Sequence, residues 1–156
     1  MAIRFLARPV RWADTYWAMS ENLDLVRSIY ATWERGEYRS MGWAHPEIEN
    51  AIVGGPSPGS WRGFAGMAEG WRDFLSACED VRFEADEYRE LDGERVLVLT
   101  HAIGRGRTSG LERGGMKTKG ANLFHIQDGK VTRHVAYLQR DLAFDDLDLT
   151  PQGDTA

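Results

Sequence analysis

The chain has 156 residues, a formal net charge of −5, 42% hydrophobic residues and 28% charged residues. That length fits one globular domain, the composition excludes a disordered chain, and the acidic balance argues against nucleic acid as the main partner. A single cysteine, Cys78, excludes an intrachain disulfide and fits a reducing, cytoplasmic setting, and no run approaches the roughly 18–20 apolar residues of a membrane span.

Residues 1–18, MAIRFLARPVRWADTYWA, are more basic than the remainder of the chain, and Arg8, Pro9 and Arg11 interrupt the apolar stretch a signal peptide needs. They read as an N-terminal extension, either an appendage or an extra helix, before a domain over 19–150 and a tail over 151–156. From Glu21 to Arg35, Leu23, Val26, Ile29, Tyr30 and Trp33 recur at helical spacing, and Gly36 suits the left-handed C-cap. A short helical piece over 38–44 is expected to stop at His45, because Pro46 disfavours helical geometry in the residue before it. The segment HPEIEN (45–50) then reads as a strand entry with Ile48 inward. GGPSPGSWRG (54–63) is turn material. A second helix is predicted over 64–79, burying Phe64, Met67, Trp71, Phe74, Leu75 and Cys78, the last as an inert thiol.

After residue 80 the pattern is that of strands: Val81–Leu91, Glu94–Arg107, Met116–Gln127 and Lys130–Gln139. Asp92-Gly93 and Asp128-Gly129 predict two tight hairpins of type I′, which need positive φ at both central residues. TSGLERGG (108–115) joins the middle pair. Arg105, Arg107, Arg113, Lys117 and Lys119 with only Glu112 make that tip basic, as a solvated hairpin end or an anion site. A helix from Asp141 to Leu147 closes the domain. The order predicts an α+β fold with helices on one face of a curved antiparallel sheet, and a cavity between them suited to a small apolar ligand.

The blocks LVRSIYATWERGEY, HPEIEN, WRGFAGMAEGWRDF, DGERVLVL, GRGRTSG and DGKVTRHVAYLQRD, in that order, resemble the SnoaL-like branch of the NTF2-like superfamily over residues 20–147. The resemblance implies a conical barrel with its sheet wrapped around N-terminal helices, a pocket between them, and a homodimer through the outer sheet face. It spans polyketide cyclases, ketosteroid isomerases, epoxide hydrolases and proteins of no known activity, so it leaves the activity open. Laid on the isomerase pattern, the base falls on Asn50, the oxyanion-holding acid on Asn122, and the helix tyrosine on Ile29, next to Tyr30. An amide cannot take up a proton near neutral pH, which removes the isomerase reaction. The epoxide-hydrolase triad fails as well, since from Arg95 to Gln139 the one aspartate, Asp128, lies in a turn. A SnoaL-type cyclisation, which asks for little beyond an acid/base group, stays open.

With a two-residue loop at Asp128-Gly129, Ile126 should face Val131, Phe124 should face Arg133, and Asn122 should face Val135. If Asn122 points inward, then Phe124, Arg133, Val135 and Tyr137 share its face, and His125 and His134 point outward. An inward Arg133 is either a structural ion pair with Glu49, Glu84 or Asp86, or a clamp for a ligand carboxylate, enolate or phenolate. His101 shares the parity of Leu97, Leu99 and Ile103. It is the remaining general base if that parity faces the pocket, and otherwise a core or interface histidine. Trp61 is placed to cap the pocket mouth. No nucleotide or metal motif is present, so no cofactor and no metal are expected. The expected function is binding of a small hydrophobic oxygenated molecule in a pocket lined by Tyr30, Asn50, Trp61, Asn122, Phe124, Arg133 and Tyr137. Cofactor-free cyclisation, isomerisation or hydration could accompany it, with His101 as base. The alternative is a non-catalytic dimeric module whose cavity is closed by its own aromatics.

Overall fold

The computed structural model describes residues 12–55, 58–76, 78–106 and 118–149, and side-chain surroundings for 21–55, 58–73, 82–103 and 119–149. The basic tip and the TSGLERGG loop fall almost wholly outside these ranges, as do the side chains of Phe74, Leu75 and Cys78. Three helices, α1 (Trp12–Glu34), α2 (Gly63–Ser76) and α3 (Arg140–Leu147), pack on a curved, unclosed sheet of six strands. These are β1 (Ala44–Val53), β2 (Gly59–Arg62), β3 (Cys78–Glu90), β4 (Arg95–Gly106), β5 (Thr118–Gln127) and β6 (Lys130–Tyr137), in the spatial order β2-β1-β6-β5-β4-β3. Strands β3 to β6 form the expected antiparallel meander, and β1 joins it by running parallel to β6.

Helix α1 begins within the segment set apart as a leader, and buries Val26, Ile29, Tyr30 and Trp33, one apolar stripe at helical spacing. Gly36, at φ +80°, ends it. The Gly36 N–H donates to Trp33 O and the Glu37 N–H to Thr32 O, the paired bonds of a Schellman cap. Residues 38–43 form turns instead of the expected helical piece, and β1 starts at Ala44, ahead of Pro46. Proline is tolerated there because β1 leaves its register with β6 between Ala44 and Glu49, so the missing N–H interrupts no ladder.

Part of the expected turn over 54–63 is the short edge strand β2, with Trp61 opposite Asn50. Helix α2 stops at Ser76, short of Cys78, which opens β3. It buries Met67 and half-buries Trp71, but Phe64 is 41% exposed, in a first turn lying over the sheet edge. Asp128-Gly129 forms the predicted I′ turn, with φ of 51° and 76°. Asp92-Gly93 does not. The Asp92 carboxylate accepts from the N–H groups of Glu94 and Arg95 at 2.8 and 2.9 Å, an Asx turn that replaces positive φ.

The sheet is buried on both faces. Its helix-facing side carries Val96, Val98, Phe124, Ile126, Val131 and Ile48 against α1 and α2. Its other side carries Leu97, Leu99, Leu123, Val135 and Tyr137 against Ala143 and Phe144 of α3. Among the described residues, no helix is long and apolar enough to cross a membrane.

Candidate ligand site

Three adjacent strands and one helix bring four polar side chains together on the helix-facing side. Asn50 on β1 stands opposite His134 on β6, Asn122 lies on the neighbouring β5, and Tyr30 reaches down from α1. All four are buried, Asn50 and His134 completely and Asn122 to 7% exposure. Tyr30 Oη is 2.6 Å from Asn122 Nδ2, Asn122 Oδ1 is 2.9 Å from His134 Nε2, and His134 Nδ1 is 2.8 Å from Asn50 Oδ1.

Counting protons gives this chain of side chains a direction. As placed, both ring nitrogens of His134 face oxygens, which only an imidazolium could satisfy. Burial instead pushes the His134 pKa down to about 3, so the ring is neutral and one flanking amide must turn over. If Asn122 turns, Tyr30 donates its hydroxyl proton to Oδ1, Nδ2 donates to His134 Nε2, and His134 Nδ1–H donates to Asn50 Oδ1. Only the Asn50 amide nitrogen is then spare, in keeping with its lack of a partner among the described residues. If Asn50 turns, both its oxygen and the Tyr30 proton are left over. Each orphaned buried group costs about 1–3 kcal/mol, so the first arrangement prevails. The polar chain runs Tyr30→Asn122→His134→Asn50 and ends on a buried N–H donor. Burial, together with the nearby Tyr88, lifts the Tyr30 phenol far above its ordinary value, so it stays protonated and able to donate.

Aromatic rings wall this polar chain. Phe124 lies 4.9 Å from the His134 ring, Trp33 lies at 6.0 Å, and Trp71 stacks on it at 5.9 Å and 22°. Trp71 also faces outward. With Tyr38, Arg39, Met41, Ala68 and Arg72 it lines a half-open groove of about 850 Å³ between the turns after α1 and helix α2. One indole thus separates the groove from the polar chain.

Of the expected site residues, Tyr30, Asn50, Asn122 and Phe124 come together, and Arg133 does not. Ile126 faces Val131 as predicted, but Thr132 is an extra residue on β6, so His125 faces Arg133 and Phe124 faces His134. That slip turns every later side chain of β6 over. His134, expected outside, is the centre of the site, while Arg133 is exposed and Val135 and Tyr137 lie on the opposite face. There Tyr137 donates to Asp146 of α3 at 2.5 Å, and burial with that carboxylate beside it drives its phenol pKa upward. Trp61 does not line the groove. It packs under α2, where Gly66 and Gly70 leave room for its indole.

His101 also lies across the sheet from the polar chain. Its Nδ1 is 2.7 Å from Asp86 and its Nε2 is 3.3 Å from Glu84, and Arg140 of α3 donates to Asp86 at 3.0 Å. Partial burial raises the Asp86 carboxyl pKa, but the bonds from Arg140 and His101 outweigh it and hold the group below its usual range. This cluster ties α3 to β3 and β4, and the sheet lies between it and the ligand site.

A curved, unclosed sheet of six strands backed by helices is the α+β architecture of NTF2-like domains. The chain belongs to the SnoaL-like domain family, which it matches over residues 26–134. In structure it is similar to a phenazine biosynthesis-related protein from Pseudomonas aeruginosa, with 17% identity and a TM-score of 0.66 over 90% of this chain and 93% of that one. It is also similar to an NTF2-like protein of unknown function from Burkholderia pseudomallei, with 16% identity and a TM-score of 0.65 over 80% and 95%. A third similar structure is TerC co-crystallised with polyporic acid, with 22% identity and a TM-score of 0.59 over 83% and 99%. At these identities the likeness shows the fold alone. No curated protein matches the chain significantly.

Proposed function

We propose that this SnoaL-like protein binds a small, hydrophobic, oxygenated molecule and holds one of its oxygens with the spare N–H of Asn50. The observation that carries the reading is that amide, the unpaired end of an otherwise satisfied polar chain, buried where the family resemblance puts a proton-abstracting carboxylate. Buried donors demand a partner, and a ligand oxygen supplies one. Cyclisation, isomerisation or hydration would need a group that takes up a proton near neutrality. Asn50 and Asn122 have none to offer, and a histidine whose pKa is about 3 is a poor base there. Binding without proton abstraction therefore fits the site best. The co-crystallisation of TerC with polyporic acid lends support from the fold. Trp71, between groove and polar chain, is the residue a ligand would displace to reach Asn50.

A second reading is favoured by the same rings: with Trp33, Trp71 and Phe124 packed over His134, the cavity is a closed core and the domain a non-catalytic module. Native mass spectrometry of the purified chain separates the two, followed by titration with the neutral ketone 2-acetonaphthone. The binding reading expects a retained small molecule or ketone binding, either of them lost in Asn50→Leu. A chain that holds nothing and takes up no ketone is the closed module, and unchanged binding in Asn50→Leu overturns the role of Asn50. Dimerisation through the outer sheet face is part of the proposal. Since α3 covers β5 and β6, the partner would meet β3 and β4 around Glu84 and His101, and light scattering at several concentrations tests it.

A further inference from the structure

The groove outside Trp71 has a chemistry of its own. Its apolar part is made by Tyr38, Met41 and Trp71, all half-buried, and its volume lies in the range of small-molecule sites. Two arginines, Arg39 and Arg72, line it from opposite elements, the turns after α1 and helix α2. Both are exposed, and neither has an ion pair among the described residues. The acidic side chain in the lining, Glu37, is already bound by Arg35 at 3.2 Å. A third cation, Arg82, lies near enough to Tyr38 for its charge to oppose the upward push of burial on that phenol. Aromatic walls with uncommitted guanidinium groups at the rim favour a flat apolar body carrying a negative charge.

We infer that the groove binds a small planar aromatic anion, a carboxylate or phenolate, with its rings against Trp71 and Tyr38 and its charge between Arg39 and Arg72. The inference rests on the small-molecule reading above and adds to it the charge of the ligand and the two residues that select it. Arginine suits this role because its planar fork pairs with a carboxylate in two parallel hydrogen bonds and is always charged.

The test compares 2-naphthoate with the neutral 2-acetonaphthone, by calorimetry and by nuclear magnetic resonance of the full chain. The expected result is that the anion binds about tenfold more tightly than the ketone, a preference that fades at high salt. The Trp71 indole N–H resonance should move with either probe. In the Arg39→Gln/Arg72→Gln double variant the two probes should bind alike. Equal affinity in the wild type, a preference that survives in the double variant, or no binding by either probe overturns the inference. If the ketone binds in an Asn50-dependent way without any preference for the anion, the small-molecule reading stands and the anionic class falls. If the anion depends on the arginines while the ketone shows no dependence on Asn50, the groove stands and the role of Asn50 falls.

Discussion

Replacing Tyr30 by phenylalanine removes one hydroxyl and leaves the ring in its contacts with Trp33, Tyr88 and Phe124, at centroid distances of 5.0, 6.1 and 6.1 Å. Little packing is lost. The cost is that of stranding the buried amide of Asn122, 2.6 Å from that hydroxyl, and is therefore about 1–3 kcal/mol. For a chain of this length the melting temperature should fall by roughly 2–12 °C. Asn122→Leu should cost more, because it strands both the Tyr30 hydroxyl and His134 Nε2. In the double variant the Tyr30 orphan is gone and the His134 orphan remains. The Asn122 orphan of the Tyr30→Phe variant is gone as well, so the two substitutions should couple by two stranded groups, about 2 kcal/mol or more, the double variant being more stable than the sum of the singles implies. Urea unfolding of the four proteins, followed by circular dichroism, measures this directly. Additivity within about 0.5 kcal/mol, or a Tyr30→Phe variant as stable as the parent, would refute the polar chain.

His134 titrates at about 3 in the folded chain and near 6.5 when unfolded, so between these values the unfolded state binds more protons. Stability should thus rise with pH across that window and flatten above it, and His134→Gln should lose the slope between pH 4 and 6.5 in pH-dependent urea melts. Asn50→Asp puts a carboxylate beside His134 Nδ1 and should raise the imidazole pKa, visible as a shifted histidine titration by nuclear magnetic resonance. A helical Gly→Ala change ordinarily gains up to about 1 kcal/mol. Gly70→Ala should lose stability instead, because the added Cβ would lie 2.8 Å from the Trp61 indole, and Trp61→Leu should rescue part of the loss in thermal melts.

Elements whose packing writes a period into the chain can be read from the sequence. The stripe Val26, Ile29, Tyr30, Trp33 exists because α1 has one buried face, and Gly36 and Gly129 stand where the backbone takes positive φ. Family resemblance points to Asn50 and Asn122, and the structure brings both to one site. The site's centre escapes such reading because β6 is covered on both faces, His134 and Ala136 by the ring-walled side and Val135 and Tyr137 by the α3 side. A strand buried on both faces shows no alternation from which to fix its facing. One signal is present: Thr132 and Arg133 are consecutive polar residues in a strand, the pattern a bulge produces. Strand β2 is hidden by its glycine, serine and proline neighbours, which mark turns whether or not a short edge strand lies among them. For Arg39 and Arg72 the sequence offers no signal, because nothing local distinguishes an arginine at a groove rim from one on an open surface.

A neutral His134 that donates from Nδ1 to Asn50 and accepts at Nε2 from Asn122 is what leaves the Asn50 amide free for a ligand. Long-range proton–nitrogen correlation of the histidine rings at pH 7 reads this state directly. The prediction is a single tautomer for His134, protonated at Nδ1 with an unprotonated Nε2, and unchanged as the pH is lowered to about 5. An imidazolium at neutral pH, or a ring protonated at Nε2, would contradict the direction of the polar chain and with it the spare donor of Asn50.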